Sequence, residues 1–172
     1  MAISHVTIGL GTWTVVAYHA GVTLTPEALG MAMLGSLAPD IDHPRSWLGR
    51  RLLFISAPLS ALIGHRGLTH SLLAMSAAAI VLALWPQLGG SFLVSAFLVG
   101  YLTHLVADLV TNSGIPLLWP WPRRFSIPLA NTGGPSEYII VSGLAMTGWL
   151  LYGDVLMDAL ERISDFSAAG LI

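Results

Sequence analysis

Apolar residues run almost unbroken through five stretches of the chain, at about 5–21, 24–39, 68–86, 91–111 and 137–153, with glycine, proline or charged residues between them. Stretches of this kind predict membrane-crossing helices, which need about 20 apolar residues each, or fewer where protein covers the helix. The expected fold is therefore an all-α integral membrane protein of about five transmembrane helices, the second one short. Between the second and third stretches, "SWLGRRLLFISAPLSALIG" (46–64) carries Arg50, Arg51 and Pro58, which predicts an interfacial or re-entrant segment. After the fifth, residues 154–172 set Val155, Ala159, Leu160, Ile163 and Phe166 against Asp158, Glu161, Arg162 and Asp165. That is the pattern of an amphipathic helix lying at a membrane surface.

Composition supports the same reading. Of 172 residues, 55% are hydrophobic and only 9% charged, and the mean hydropathy is +0.76; soluble domains carry about a quarter charged residues. One membrane-embedded domain over 1–172 is expected, with no soluble module. The first residues, MAISHVTIGLG, lack the basic region and the cleavage site of a secretory signal, so they read as part of the first helix. With no cysteine, any metal must be held by imidazole nitrogen and carboxylate oxygen.

Arginine placement sets the orientation. Arg45, Arg50, Arg51 and Arg66 lie between the second and third helices, and Arg123 and Arg124 between the fourth and fifth; the other side has only Arg162 among acids. The excess of positive charge on one side puts the N-terminus and both long loops in the cytoplasm, and the C-terminus outside. The stretch 114–135 crowds prolines, Trp119 and Trp121 beside Arg123 and Arg124, as an interfacial belt or a headgroup-binding loop would.

Against this apolar background the titratable groups stand out. His5 opens the first helix, and Asp40, Asp42 and His43 close the second in a turn bounded by Pro39 and Pro44. His65 and His70 flank the start of the third helix, and His104 and Asp108 sit late in the fourth. Odd helices run outward and even ones inward, so all eight groups fall at the cytoplasmic end. Ionisable groups at membrane depth are costly and mark functional sites. His104 and Asp108, at i and i+4, share one helical face and can serve one metal. The carboxylates of the Asp40 turn suit a two-metal site that clamps the oxygens of a phosphoester. Arg66 offers a fork for phosphate. Thr69 reads as the N-cap of the third helix. His19, near the opposite end, reads as a packed or interfacial histidine. Glu137, at the start of the fifth helix, is a candidate ligand or general base, or simply complements the helix dipole.

The motifs "LAPDIDHPRSWLGRRL", "GHRGLTHSLL" and "GYLTHLVADLVTNSGIPLLWPW" resemble the YdjM-like family of bacterial inner-membrane, metal-dependent hydrolases, over most of the chain from His5 to about Pro128. The resemblance implies a hydrolytic reaction class and carries the family pattern onto His5, Asp40, Asp42, His43, His65, His70, His104 and Asp108.

The leading expectation is a zinc-dependent hydrolase acting on a phosphoester of a membrane lipid at the cytoplasmic leaflet. It would hold one to three Zn2+ ions, with Mn2+ or Fe2+ as alternatives, on His5, Asp40, Asp42, His43, His70, His104 and Asp108. His65 would be a ligand or proton donor, and Arg66 would stabilise phosphate charge. No nucleic-acid partner is expected. The competing expectations are a metal-free lipid phosphatase with a His104 nucleophile paired to Asp108, a divalent-cation carrier or sensor, and a structural protein whose polar cluster only staples helices.

Overall fold

The computed structural model describes residues 2–64, 66–85 and 91–168. Among them the chain is all helical: α1 (Ala2–Ala20), α2 (Pro26–Leu37), α3 (Leu53–Ile63), α4 (Leu72–Ala83), α5 (Ser91–Leu109) and α6 (Pro135–Ala168), with 3-10 turns at Ala38–Asp42 and Leu68–His70. Extended pairing is limited to isolated bridges, Thr111 with Ala130 and Ile115 with Phe125, in the loop after α5.

Local chemistry sets most of the boundaries. Gly21, at φ 65°, turns the chain out of α1, and Val22 N–H closes back on Ala17 C=O at 2.9 Å. Thr25 caps α2, accepting from Ala28 N–H at 3.3 Å, with Pro26 in the first turn. Ser71 caps α4, accepting from Ala74 N–H at 3.2 Å. Thr69, expected in that role, is taken up elsewhere in the site.

Two segments, Phe92–Leu109 and Pro135–Asp165, are long and apolar enough to cross a membrane by length and composition. The expected second and third crossings are shorter helices of 12 residues each, about 18 Å at 1.5 Å per residue against a hydrocarbon core of about 30 Å. The 46–64 segment contains α3, which leaves Phe54 and Leu62 exposed and packs on the Ala38–Asp42 turn. A separate surface helix at 154–168 is not formed. Residues 135–168 are one 34-residue helix: Gly153 costs a helix only about 1 kcal/mol, and no proline interrupts the run. Residues 169–172 lie outside the described part.

The core of the bundle is α1, α2 and α5. Trp13 and Ala17 of α1, Ala28 and Ala32 of α2, and Ala96 of α5 bury together, joined by Ala159 from the far half of α6. Alanine and glycine here allow the helix backbones to close in, as small residues do between membrane helices. A Cβ at Gly35 would stand 2.0 Å from Phe97 C=O, and one at Gly100 would stand 2.0 Å from Ala32 C=O. α2 and α5 are therefore held backbone to backbone, which brings the end of α2 against His104.

Candidate metal centre

Five of the predicted groups meet at one end of this bundle. α1 supplies His5, the Ala38–Asp42 turn supplies Asp40, the Leu68–His70 turn supplies His70, and α5 supplies His104 and Asp108. His70 Nε2 lies 3.4 Å from Asp108 Oδ2 and 3.8 Å from Asp40 Oδ1. His104 Nε2 lies 3.7 Å from Asp108 Oδ2 and 3.9 Å from Asp40 Oδ1. Four donor atoms on tetrahedral bonds of about 2.0–2.1 Å, as zinc makes to imidazole and carboxylate, stand about 3.3–3.4 Å apart. The four distances above run from about that value to about half an ångström longer, and Asp40, His70 and His104 offer ligand atoms that all lie within 4.8 Å of one another.

Proton placement shows what the four atoms present to one another. His104 Nδ1 is 2.7 Å from Ser36 C=O. A carbonyl only accepts, so Nδ1 carries the proton and Nε2 offers a lone pair. On His70, Nδ1 is 3.1 Å from Thr69 Oγ1 and 3.5 Å from Asp42 Oδ2, while the Thr69 hydroxyl donates to Asp42 Oδ2. Thr69 oxygen thus accepts from His70 Nδ1–H, and Nε2 again is left with a lone pair. Lone pairs of His104 Nε2 and Asp108 Oδ2, both buried and without a hydrogen-bond partner, face each other across less than 4 Å. Buried polar atoms arranged this way are costly unless a cation sits among them. The donor set, two neutral imidazoles and two carboxylates, fits a divalent ion.

A second set of ligand atoms, from His5, His104 and Asp108, also converges within 4.8 Å. His5 Nε2 is 3.8 Å from Asp108 Oδ1, and the His5 ring stacks on that of His104 with centroids 3.9 Å apart. Asp108 therefore turns Oδ2 toward His70 and His104, and Oδ1 toward His5 and Arg66. Arg66 Nη2 donates to Oδ1 at 2.9 Å. Arg66 is itself buried, with its backbone at φ 55°, a conformation that brings the side chain inward at some cost for a non-glycine residue.

The remaining expectations fall around this cluster. Asp42, expected as a ligand, is fully buried on the Nδ1 side of His70, where it orients the ring instead of facing the converging nitrogens. His43 ends the same turn and contributes no atom to either converging set. Glu137 Oε2 accepts from Gly133 N–H at 2.6 Å and lines the same cavity as His5 and Asp108, so it serves the start of α6 at the rim of the site. His65 lies outside the described residues. His19 is at the opposite end, its Nε2 2.9 Å from Tyr152 Oη. Three groups escaped sequence reasoning: the Ser36 carbonyl, the Thr69 hydroxyl, and Tyr101, whose hydroxyl donates to Thr69 C=O. The small-residue run Gly35-Ser36 at the end of α2 was the one available signal for the first.

A cavity of about 400 Å3 opens beside the cluster. His5, Asp108 and Glu137 line one end, and Ile8, Val106, Ile140 and Leu144 carry it away between α1, α5 and α6.

Comparison of the sequence with known proteins finds relatives. The chain is 46% identical over 101 residues to the inner membrane protein YdjM of Escherichia coli (strain K12), a stretch covering 57% of this chain and 52% of that protein. The same figures hold for the YdjM of Shigella flexneri. The aligned part of the chain thus spans about half the length of these relatives. It is 33% identical over 144 residues to the uncharacterized protein YvsG of Bacillus subtilis (strain 168), covering 83% of this chain and 88% of that one. No solved structure matches. Residues 1–161 match the family described as YdjM inner membrane protein, a span that contains all five converging groups, and the chain belongs to that family.

Proposed function

We propose that this protein is a metal-dependent hydrolase of the bacterial inner membrane that cleaves a phosphoester of a lipid at the cytoplasmic leaflet. The observation that carries the reading is the convergence of lone pairs on His70, His104, Asp40 and Asp108 beside a buried arginine, at the head of an apolar cavity. His5 and Asp108 Oδ1 extend the cluster toward that cavity. Zinc is the ion the donor set suits best, with Mn2+ or Fe2+ as alternatives.

A divalent ion bound among these residues supplies Lewis-acid charge and lowers the pKa of a water to about 7. The protein does the rest. Ser36 and the Thr69–Asp42 pair fix the two imidazoles with Nε2 aimed inward, the outer-sphere support that metal-binding histidines generally have. Arg66 is locked on Asp108, which lines the cavity head, and its buried guanidinium supplies positive charge behind that carboxylate, near where a phosphate oxygen gains charge as the ester breaks. Glu137, at the rim, is placed to take or give a proton. Arg45, Arg50, Arg51, Arg123 and Arg124 lie in the segments that follow α2 and α5, and this excess of positive charge supports a cytoplasmic headgroup level for the cluster in a multi-pass bundle. Segment 46–64 then lies in the interface, and α2 and α4 serve as half-length crossings.

A metal-free reaction with His104 as nucleophile fits less well. Its Nε2, the nitrogen that would attack, faces Asp108 and Asp40 rather than open space. A transport site belongs near the midplane, and this one is at one end.

The test is elemental analysis of protein purified in detergent without added metal, alongside an Asp40→Ala/Asp108→Ala variant, followed by phosphate release from lipid phosphoesters. About one to three equivalents of zinc, lost with activity in the variant, is the expected result. A protein that takes up no divalent ion even on reconstitution overturns the reading.

A further inference from the structure

The cavity at the metal centre does not end where α5 leaves it. A second cavity of about 600 Å3 lies between α1 and α6 and shares Ile8, Thr12, Val141 and Leu144 with the first. One face of α6 walls both, through Val141, Leu144, Ala145, Gly148, Trp149 and Tyr152. The far half of α6 is pinned to the bundle by Val155 and Ala159, and above that point the helix stands off α1. The result is a continuous, mainly apolar cleft running from His5, Asp108 and Glu137 past Tyr152 to Leu156 and Leu160, of which the part down to Tyr152 alone is about 22 Å along α6 at 1.5 Å per residue. Its walls are aliphatic and aromatic, and the Thr14 hydroxyl is already spent on Leu10 C=O at 3.0 Å.

We propose that this cleft is the tail channel of the lipid processed at the metal centre, and that its depth makes the protein select for acyl chain length; the proposal rests on the hydrolase reading above. The occupant must satisfy both ends of one continuous space. At the head, His5 and Asp108 join the cavity to the metal-binding cluster, and a divalent ion held there calls for a phosphate. Beyond them the walls are mainly apolar, with scattered threonine hydroxyls and no charged group, which calls for hydrocarbon. A phospholipid joins the two in one molecule, whereas a helix of a partner protein would fill the walls and leave the head unmatched. The depth decides the length: about 22 Å exceeds the half-thickness of a bilayer core, about 15 Å, so the channel has room for the whole extended tail of a long acyl chain and leaves part of itself empty under a short one.

Two glycines make this testable without disturbing the fold. A Cβ at Gly148 or at Gly11 meets nothing within 4 Å, and both residues line the lower cleft, remote from the cluster. Leucine at either position enters open space and improves helix propensity. The experiment uses alkyl monophosphates of eight, twelve and sixteen carbons, each with a photoreactive group at the chain end, on the full-length, zinc-loaded protein in detergent. The wild type should retain the sixteen-carbon probe at least tenfold better than the eight-carbon one. Crosslinks should fall near Gly148 to Tyr152 for the long chain and near Ile140 to Leu144 for the short one. Gly148→Leu should remove the preference beyond twelve carbons and leave the eight-carbon probe and the zinc content unchanged.

Crosslinks on α3 or α4, or a chain-length profile that Gly148→Leu does not alter, would overturn the proposal. So would wild-type protein that labels poorly and runs as a dimer dissociated by Gly148→Leu, because the cleft would then belong to a second copy. The two readings separate cleanly. Hydrolysis with crosslinks elsewhere retires the channel alone, and the predicted crosslinks without hydrolysis of any phosphoester retire the hydrolase alone.

Discussion

Replacing Gly100 by alanine adds one methyl group at a place where the structure has no room for it. The new Cβ would stand 2.0 Å from Ala32 C=O and 2.9 Å from Ser36 N. Ordinary contact begins near 3.4 Å, so α2 and α5 must move apart locally by more than 1 Å. Both contacting atoms are backbone, and no side chain can swing away to absorb the shift. The His104 Nδ1 to Ser36 C=O hydrogen bond bridges this same interface at 2.7 Å, and an added separation of that size stretches it past 3.5 Å, beyond a hydrogen bond. Two effects follow. Overpacking costs about 1–3 kcal/mol, read as a fall in Tm in detergent. Release of the His104 ring costs about 10–100-fold in metal affinity, read by chelator competition for zinc. Gly148→Ala, which adds its methyl group to open space, is the control and should move neither quantity downward. The reasoning fails if Gly100→Ala matches the control in both Tm and zinc affinity.

Other expectations follow from the same contacts. Asp42→Asn keeps the volume behind His70 but removes the carboxylate that holds Thr69 and the ring; zinc affinity should drop about 10–100-fold with the fold intact by Tm, and unchanged affinity would show that Asp42 does not orient His70. His104→Ala should lose both zinc and phosphoesterase activity, while His19→Ala keeps its zinc, as elemental analysis of the two purified variants will show. Arg66→Ala should retain zinc within about tenfold and lose about 10²–10³ in kcat, the range for removing one charge-stabilising donor; loss of metal together with activity would make Arg66 a support for Asp108 rather than a partner of phosphate.

Which parts of this arrangement the sequence discloses depends on whether regular periodicity governs them. His104 and Asp108 sit one turn apart on a helix, so their common face follows from spacing alone. The gathering of His5, Asp40, His70, His104 and Asp108 at one end follows from counting apolar runs and alternating their direction, although two of those runs fold into helices too short to cross a bilayer unaided. Which ends meet is decided by the direction of the chain rather than by the length of each helix.

The roles inside the cluster obey no such period. Asp40 and Asp42 lie in a 3-10 turn, where successive residues are about 120° apart around the axis, so two carboxylates that look equivalent in "PDIDH" end on opposite nitrogens of His70. In "HRGLTHS", both Thr69 and Ser71 are competent helix caps; the chain uses Ser71, which frees the Thr69 hydroxyl to bridge Asp42 and His70. The second imidazole is oriented by a carbonyl, Ser36 C=O, which every residue possesses and no sequence can advertise. What places that carbonyl is the absence of side chains at Gly35 and Gly100. The candidate metal centre is therefore specified as much by missing atoms between α2 and α5 as by its histidines and aspartates, and a search for those residues alone finds the cluster without finding what aims it.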